Sequence, residues 1–135
     1  MNAVPLWGAA LAACLSFGAS GALAADAAAG KEVFKECMAC HTVDQGKNRV
    51  GPSLHGVVGR KAASVETFKY SKPMQEKAAS GLTWTPETLM QYLQAPKEVV
   101  PGTSMAYAGL KNAGKYKANP AEAAENLIAY LEESK

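Results

Sequence analysis

The stretch Cys37-Met38-Ala39-Cys40-His41 says more about the fold than any other part of the 135-residue chain. A Cys-x-x-Cys-His run is the attachment signature of a c-type haem, because each thiol can add across one haem vinyl group to form a thioether. The histidine after the second cysteine can then reach the haem iron from the same short segment. These five residues therefore predict one covalently bound haem c, held by two thioethers and with His41 as one axial ligand of the iron.

Two other kinds of site also use closely spaced cysteines. A structural zinc site needs about four ligands that close around the metal, and His55 is the only histidine left outside the run. A thioredoxin-like redox pair needs a strand-to-helix setting, and no Val- or Ile-rich strand precedes Cys37. Both alternatives stay open on this motif alone, and the motifs downstream of His41 favour the haem interpretation.

The N-terminal segment has the features of an export signal. Residues 4–25 are rich in Ala, Leu and Gly, carry no charge and contain Ala22-Leu23-Ala24, a small-x-small cleavage pattern. We therefore expect residues 1–24 to be a cleaved signal peptide, residues 25–135 to form one domain, and the mature protein to reside in the periplasm. An uncleaved membrane anchor is the structural alternative. Leu11-Ala12-Ala13-Cys14 also resembles a bacterial lipoprotein box.

Composition narrows the function further. With Cys14 in the expected signal, the mature chain keeps only Cys37 and Cys40, and such a close pair in an exported protein favours haem linkage over a structural disulfide. The formal net charge of +2 is too small to indicate nucleic-acid binding. A local charged patch can nevertheless steer a partner protein towards the surface.

Helical signals occur along the chain, whereas strand signals do not. Thr85-Pro86-Glu87 is a helix start with an N-cap, a proline at the first position and an acid at the second, and Pro96 stops this helix after Gln94. Asn119-Pro120-Ala121-Glu122 begins the last helix, with its glutamate placed for a capping box. Loops rich in Gly and Pro connect these helices, and a large apolar cofactor would complete so small a core. The remaining predicted helices are 28–37 and 71–79.

A low-spin electron-transfer haem needs a second axial ligand, and Met105 is the best candidate. It lies in Pro101-Gly102-Thr103-Ser104-Met105, where Pro and Gly fix a loop that aims the side chain by backbone shape alone. A thioether is a soft, neutral ligand that favours ferrous iron. The alternatives are His55 as the ligand and Met105 as filling for the core. We interpret the other internal methionines as packing or exposed residues; these are Met38, Met74 and Met90.

From Gly30 to the C-terminus these motifs follow one another as they do in class I cytochromes c, and the chain is most similar to the soluble bacterial cytochromes of the c-two type. The resemblance implies an all-α fold of short helices and loops wrapped around one haem c. It also implies a monomeric one-electron carrier that is not an enzyme. In that family a Pro-Gly-Thr-x-Met run delivers the distal ligand, which corresponds to Thr103 and Met105 here. The carbonyl of Pro52 would accept the Nδ1–H of His41 and orient its ring.

The same resemblance assigns further residues around the haem. Arg60, Tyr70, Ser71 and Trp84 match groups that hydrogen-bond the buried haem propionates, which would be costly to bury without donors. Tyr92 matches the tyrosine whose hydroxyl approaches the methionine sulfur, and the family carries a histidine that is not a ligand at the position of His55. The residues that match the crossing of the first and last helices are Gly30, Phe34, Leu127 and Tyr130.

The chain also departs from the family pattern. Glu36, Glu98 and Ser104 occupy docking-face positions that are often lysine, and Tyr107 stands where phenylalanine is usual. Electron partners implied by the resemblance are a cytochrome bc complex, a terminal oxidase, a photosynthetic reaction centre or a periplasmic dehydrogenase. Stable membrane insertion is not expected after cleavage. Two rival functions are a peroxidase or gas-binding protein with an open iron position, and a tethered subunit or membrane-anchored carrier.

Overall fold

The computed structural model describes residues 24–135, so the expected signal peptide lies outside the described residues apart from Ala24. Within this range the chain forms α-helices and one 3₁₀ helix, and it contains no β-strand, only an isolated antiparallel bridge between Lys61 and Thr83. The predicted all-α architecture is confirmed. The helices are α1 (Ala27–Phe34), α2 (Lys72–Ala79), α3 (Pro86–Gln94), α4 (Pro96–Val99) and α5 (Pro120–Glu132), and the 3₁₀ helix is Leu110–Asn112.

Most helix starts are fixed by side-chain caps. The hydroxyl of Thr85 accepts a hydrogen bond from the backbone N–H of Thr88 at 3.2 Å, as the sequence predicts for the start of α3. Ser71 caps α2 in the same way. The Asp26 carboxylate accepts the backbone N–H groups of Ala28 and Ala29 at the start of α1.

Three local predictions need correction. Helix α1 ends at Phe34 rather than at Cys37, because the chain tightens there into successive i→i+3 turns that redirect it towards the cysteines. The capping box of α5 does not form: the Asn119 side-chain amide donates to the Glu122 carboxylate instead of capping the backbone. The short helix α4 directly after α3 was not predicted, and Pro96 starts that turn.

The core is built where α1 crosses α5. Gly30 lets the two backbones meet, since a Cβ at this position would collide with the carbonyl of Asn126. The rings of Phe34 and Tyr130 pack beside this crossing with centroids 5.3 Å apart. Leu127 of α5 is buried beneath it. The positions of Gly30, Phe34, Leu127 and Tyr130 agree with the helix crossing implied by the resemblance.

Both ends of the described chain are fastened to this core. The backbone N–H of Asp26 donates to the side-chain oxygen of Asn126 at 2.8 Å, and the N–H of Gly56 donates to the carbonyl of Ser134 at 2.6 Å. The second bond ties the C-terminus to the loop after the cysteine run. Among residues 24–135, no helix has both the length and the apolar character needed to cross a bilayer.

Candidate haem site

A largely apolar cavity of about 240 Å³ opens between helix α3, the loop 40–60 and the loop 100–109. Every residue that the sequence assigned to the cofactor lies in its wall, although these residues come from segments far apart along the chain. They are Cys37, Cys40, His41, Pro52, Arg60, Tyr70, Ser71, Trp84, Tyr92, Thr103 and Met105. The sequence-derived candidates therefore converge on one site.

The cysteine run enters the cavity as a tight turn. The backbone N–H groups of Cys40 and His41 both donate to the carbonyl of Cys37, at 3.1 and 2.9 Å. No disulfide joins the two cysteines. Burial, followed by the charges of Glu36 and Cys40, raises the pKa of the Cys37 thiol to about 12. The turn thus presents two cysteine side chains and an imidazole to the same cavity.

The imidazole of His41 is fixed from two sides. Its Nδ1 lies 2.7 Å from the Pro52 carbonyl oxygen, so a protonated Nδ1 donates there and leaves Nε2 free to bind a metal. A Cβ on Gly51 would collide with the imidazole, so this ring packs directly on bare backbone. Burial lowers the pKa of His41, opposed by the Pro52 hydrogen bond and assisted by the Arg60 cation. The neutral imidazole, which is the metal-binding form, is therefore favoured.

A chain of turns and hydrogen bonds positions Met105. Gly102 has a φ of 78°, and the hydroxyl of Thr103 accepts the backbone N–H of Met105 at 3.2 Å. The hydroxyl of Tyr92 on α3 donates to the Met105 sulfur at 3.6 Å. Burial raises the pKa of Tyr92, and its hydrogen bond with Thr103 acts in the opposite direction. The phenol therefore stays a neutral donor that holds the thioether in the cavity wall.

Arg60 provides a test of whether a haem suits this cavity. Its Nη1 donates to the carbonyls of Ser53 and His55 at 3.0 and 2.9 Å, which fixes the guanidinium in place. Its Nε is buried and has no hydrogen-bond partner among the described residues. Such orphan donors are rare and costly in native proteins. A carboxylate bound in the cavity would satisfy this donor, so the residues fit a haem with buried propionates.

The three other predicted propionate donors are Tyr70, Ser71 and Trp84. The first two each have a hydroxyl proton that is not used within the protein, and the third packs in the core. The hydroxyl of Tyr70 accepts the backbone N–H of Val65 at 3.2 Å, and the hydroxyl of Ser71 accepts that of Met74. Because both hydroxyls act as acceptors in these bonds, each can still donate its own proton. The ring of Trp84 packs against that of Tyr92 with centroids 4.6 Å apart, which makes it part of the core as well.

The alternative sites find little support in the fold. His55 does not line the cavity, and its Nδ1 lies 3.2 Å from the Val43 carbonyl. Residues 24–135 contain no group of three or more Cys, His, Asp and Glu side chains arranged to hold a metal ion. A helix, α1, precedes Cys37, whereas a thioredoxin-like pair comes after a strand. Neither a zinc site nor a thioredoxin-like pair fits this geometry.

Sequence reasoning missed several residues of the wall. Met74, predicted to be a packing or exposed residue, does pack against the core, and it also lines the cavity as a second thioether. Gly51 and Tyr107 also line it. Of these residues, only Gly51 could have been predicted from the sequence, because glycine is the residue that lets the backbone come close to another group.

The comparisons with known proteins agree with this site. The family model for cytochrome c matches residues 27–135. Cytochrome c2 iso-2 of Magnetospirillum molischianum is 54% identical over 94 residues, covering 70% of this chain and 91% of that protein. Cytochrome c2 of Agrobacterium tumefaciens is 43% identical over 107 residues, covering 78% and 89%.

A solved structure shares the fold. Cytochrome cH from Methylobacterium extorquens superposes with a TM-score of 0.67 at 38% identity, covering 80% of this chain and 98% of that one. The family and the fold together identify haem c as the cofactor that this cavity binds. The chain belongs to the cytochrome c family as a class I cytochrome of the c2 type, an electron carrier rather than an enzyme, with one covalently bound haem c.

Proposed function

We propose that this protein shuttles single electrons in the periplasm, with His41 and Met105 as the two axial ligands of the haem iron. The observation that carries the proposal is that both side chains line one cavity and each is oriented by its own hydrogen bond. Haem c supplies an iron that changes between the ferric and ferrous states. The thiols of Cys37 and Cys40 are the attachment points, and no other cysteine lies among the described residues.

In this proposal the protein's task is to hold the site closed and to change little between redox states. The Pro52 carbonyl keeps the Nδ1 proton of His41 and so fixes the tautomer of the ring. Tyr92 holds the Met105 sulfur through one lone pair, and another lone pair would remain for the iron. If His41 and Met105 both bind the iron, no iron position would remain for a substrate, which argues against a peroxidase or gas-binding function.

Arg60, Tyr70, Ser71 and Trp84 are the groups we assign to the propionates. The unpaired Nε of Arg60 supports this role most directly. A buried carboxylate gains charge-assisted hydrogen bonds from such a donor, which are stronger than neutral ones. The Arg60 cation also offsets negative charge beside the haem, and this stabilises the buried propionates.

Replacing Met105 with alanine tests the ligation. We expect the ferric Met105→Ala protein to lose its methionine–iron charge-transfer band and the ferrous form to bind carbon monoxide, because the sixth position is then open. The potential should fall as well, since the ligand that favours ferrous iron is gone. Met74→Ala is the matched control, because Met74 lines the same cavity. Ligation by Met105 is wrong if its variant keeps the parent spectra or if Met74→Ala loses the band.

Periplasmic location and a free mature form are also part of the proposal. They are supported by the small-x-small pattern at Ala22-Leu23-Ala24. Mass spectrometry of protein from the native host should find a chain that starts near Ala25 or Asp26 and carries one haem. A retained N-terminus, or lipid on Cys14, would instead indicate a tethered carrier.

The partners we propose are redox proteins that accept a small monomeric carrier: a cytochrome bc complex, an oxidase, a photosynthetic reaction centre or a periplasmic dehydrogenase. Contact at this edge is supported by the exposed residues that line the cavity, which are Glu36, Val50, Ser104 and Ala106. Reduction and oxidation kinetics against membranes of the native host would distinguish these partners.

A further inference from the structure

A short segment, residues 49–52, contacts the cysteine run at several points. The backbone N–H of Gly51 donates to the Cys40 carbonyl at 2.8 Å, and Nδ1 of His41 lies 2.7 Å from the Pro52 carbonyl oxygen. The His41 imidazole also packs on the bare backbone of Gly51. These three contacts all lie at the second half of the run, Cys40 and His41.

Arg49 supplies a contact to the first half of the run. Its Nη1 donates to the carbonyl of Met38 at 2.9 Å, so the guanidinium reaches from the segment 49–52 to the turn between the two cysteines. The backbone N–H of Arg49 donates to the Gly51 carbonyl at 2.9 Å, which closes the chain tightly around Val50. Arg49 thus links Met38 to the residue on which the His41 ring packs. A cationic donor also makes a stronger hydrogen bond than a neutral one.

The exposure of this bond decides what it can do. Arg49 and Met38 are both exposed, so water competes for the donor and for the acceptor, and the bond adds little to global stability. Its effect should be local instead. The N–H of His41 donates back to the Cys37 carbonyl at 2.9 Å, so Met38 lies inside one tight turn that ends at His41. Holding the Met38 carbonyl therefore limits the motion of that turn.

We propose that Arg49 is a positioning residue for His41: by holding the Met38 carbonyl, it keeps the cysteine run against residues 49–52 and so keeps the hydrogen bond between His41 and Pro52 closed. This inference rests on the proposed function, because it bears on electron transfer only if His41 binds the iron. The imidazole would then keep one orientation while the iron changes charge.

Replacing Arg49 with alanine tests this role through the Nδ1 proton of His41. Exchange of that proton with solvent requires its bond to Pro52 to open, and NMR can follow the exchange in the ferrous holoprotein. We expect exchange to be about threefold faster in Arg49→Ala, because one exposed hydrogen bond no longer restrains the opening. Arg49→Lys should restore most of the parent rate, since an ammonium group can also donate to the Met38 carbonyl.

Lys47→Ala is the matched control, because it removes one positive charge from the same loop. The Nζ of Lys47 pairs with Oδ2 of Asp44 at 3.5 Å. We expect the Nδ1 proton of His41 to exchange at the parent rate in this variant. Exchange as fast as in Arg49→Ala would assign the effect to charge alone and overturn the proposal.

The backbone N–H of Leu127, a buried residue of α5, separates positioning from stability. Its exchange should be the same in Arg49→Ala and in the parent. The proposal is overturned if this proton accelerates by the same factor as Nδ1 of His41, or if the Nδ1 rate does not change. Failure of the proposed function is distinguishable, because a parent protein without a methionine–iron band contradicts the ligation, whereas the exchange rates still decide the role of Arg49.

Discussion

At the scale of single residues, Gly51 sets the position of the His41 imidazole, the proposed iron ligand. The His41 ring packs against its backbone so closely that a Cβ would collide with three ring atoms. Neighbouring Pro52 supplies the carbonyl that holds Nδ1. The glycine provides the space and the proline provides the acceptor, so the two consecutive residues act as one support for the ring.

Gly51→Ala should therefore weaken the site. We expect the holoprotein to lose about 1–3 kcal/mol of unfolding free energy, the usual cost of inserting a methyl group into a packed region. Denaturant titration of the ferrous protein, with absorbance reporting on haem ligation, measures the loss. Gly114→Ala is the control, since a Cβ there meets nothing within 4 Å. Equal stability of the two variants would contradict the described packing.

Single residues also show what the sequence could predict. The cysteine run and the Met105 loop are local patterns whose chemistry is visible in five consecutive residues each. The unpaired donors of Arg60 and Tyr107 are not local, because they depend on which groups the fold leaves around a cavity. The packing role predicted for Met74 is confirmed, but its place in the cavity wall depends in the same way on which groups the fold brings together.

At the scale of elements, the crossing of α1 and α5 forms the frame that carries the cysteine run. Helix α5 was predictable because it is 13 residues long and repeats its apolar residues at helical spacing. The end of α1 and the short helix α4 could not be predicted from the sequence, because the exact end of a helix and a helix of a single turn depend on tertiary contacts. Gly30 marks the contact point of the frame.

Gly30→Ala separates helix propensity from packing. Propensity alone favours alanine over glycine inside a helix by about 1 kcal/mol. We expect the opposite sign, a loss of about 1–3 kcal/mol, because the new methyl group meets the backbone carbonyl of Asn126, which cannot move without shifting α5. Chemical denaturation of the ferrous holoprotein measures it. Ala28→Gly, at an exposed position of α1, reports propensity alone. A stabilised Gly30→Ala protein would refute the tight crossing.

At the scale of the whole molecule, the distribution of charge decides how partners are attracted. The Nζ of Lys35 lies 2.7 Å from Oε2 of Glu32, and the Nζ of Lys111 lies 3.9 Å from Oε2 of Glu98. Each of these two cations therefore has a carboxylate beside it. Exposed Lys97 forms no ion pair within residues 24–135. The positive charge of Lys97 is therefore not offset by a paired carboxylate, so its electric field at a partner protein should be stronger than that of a paired lysine.

Charge reversal at Lys97 should slow association with an electron partner more than reversal at Lys111. The effect should shrink as salt is added, because exposed charges are screened over about 8 Å at physiological ionic strength. Stopped-flow oxidation at several salt concentrations provides the second-order rates. Rates that ignore both the substitutions and the salt would show that docking uses another surface or apolar contacts.

The most direct test of the whole account is to observe the axial methionine itself. The expected mature chain contains Met38, Met74, Met90 and Met105, and their methyl groups can be labelled with carbon-13 and followed by NMR in the ferrous protein. The methyl group of a methionine whose sulfur binds the iron would lie over the haem ring and be shifted strongly upfield. The account predicts one such methyl signal, lost in Met105→Ala and retained in Met74→Ala. An upfield signal that disappears with Met74, or the absence of any upfield methionine methyl, would contradict it.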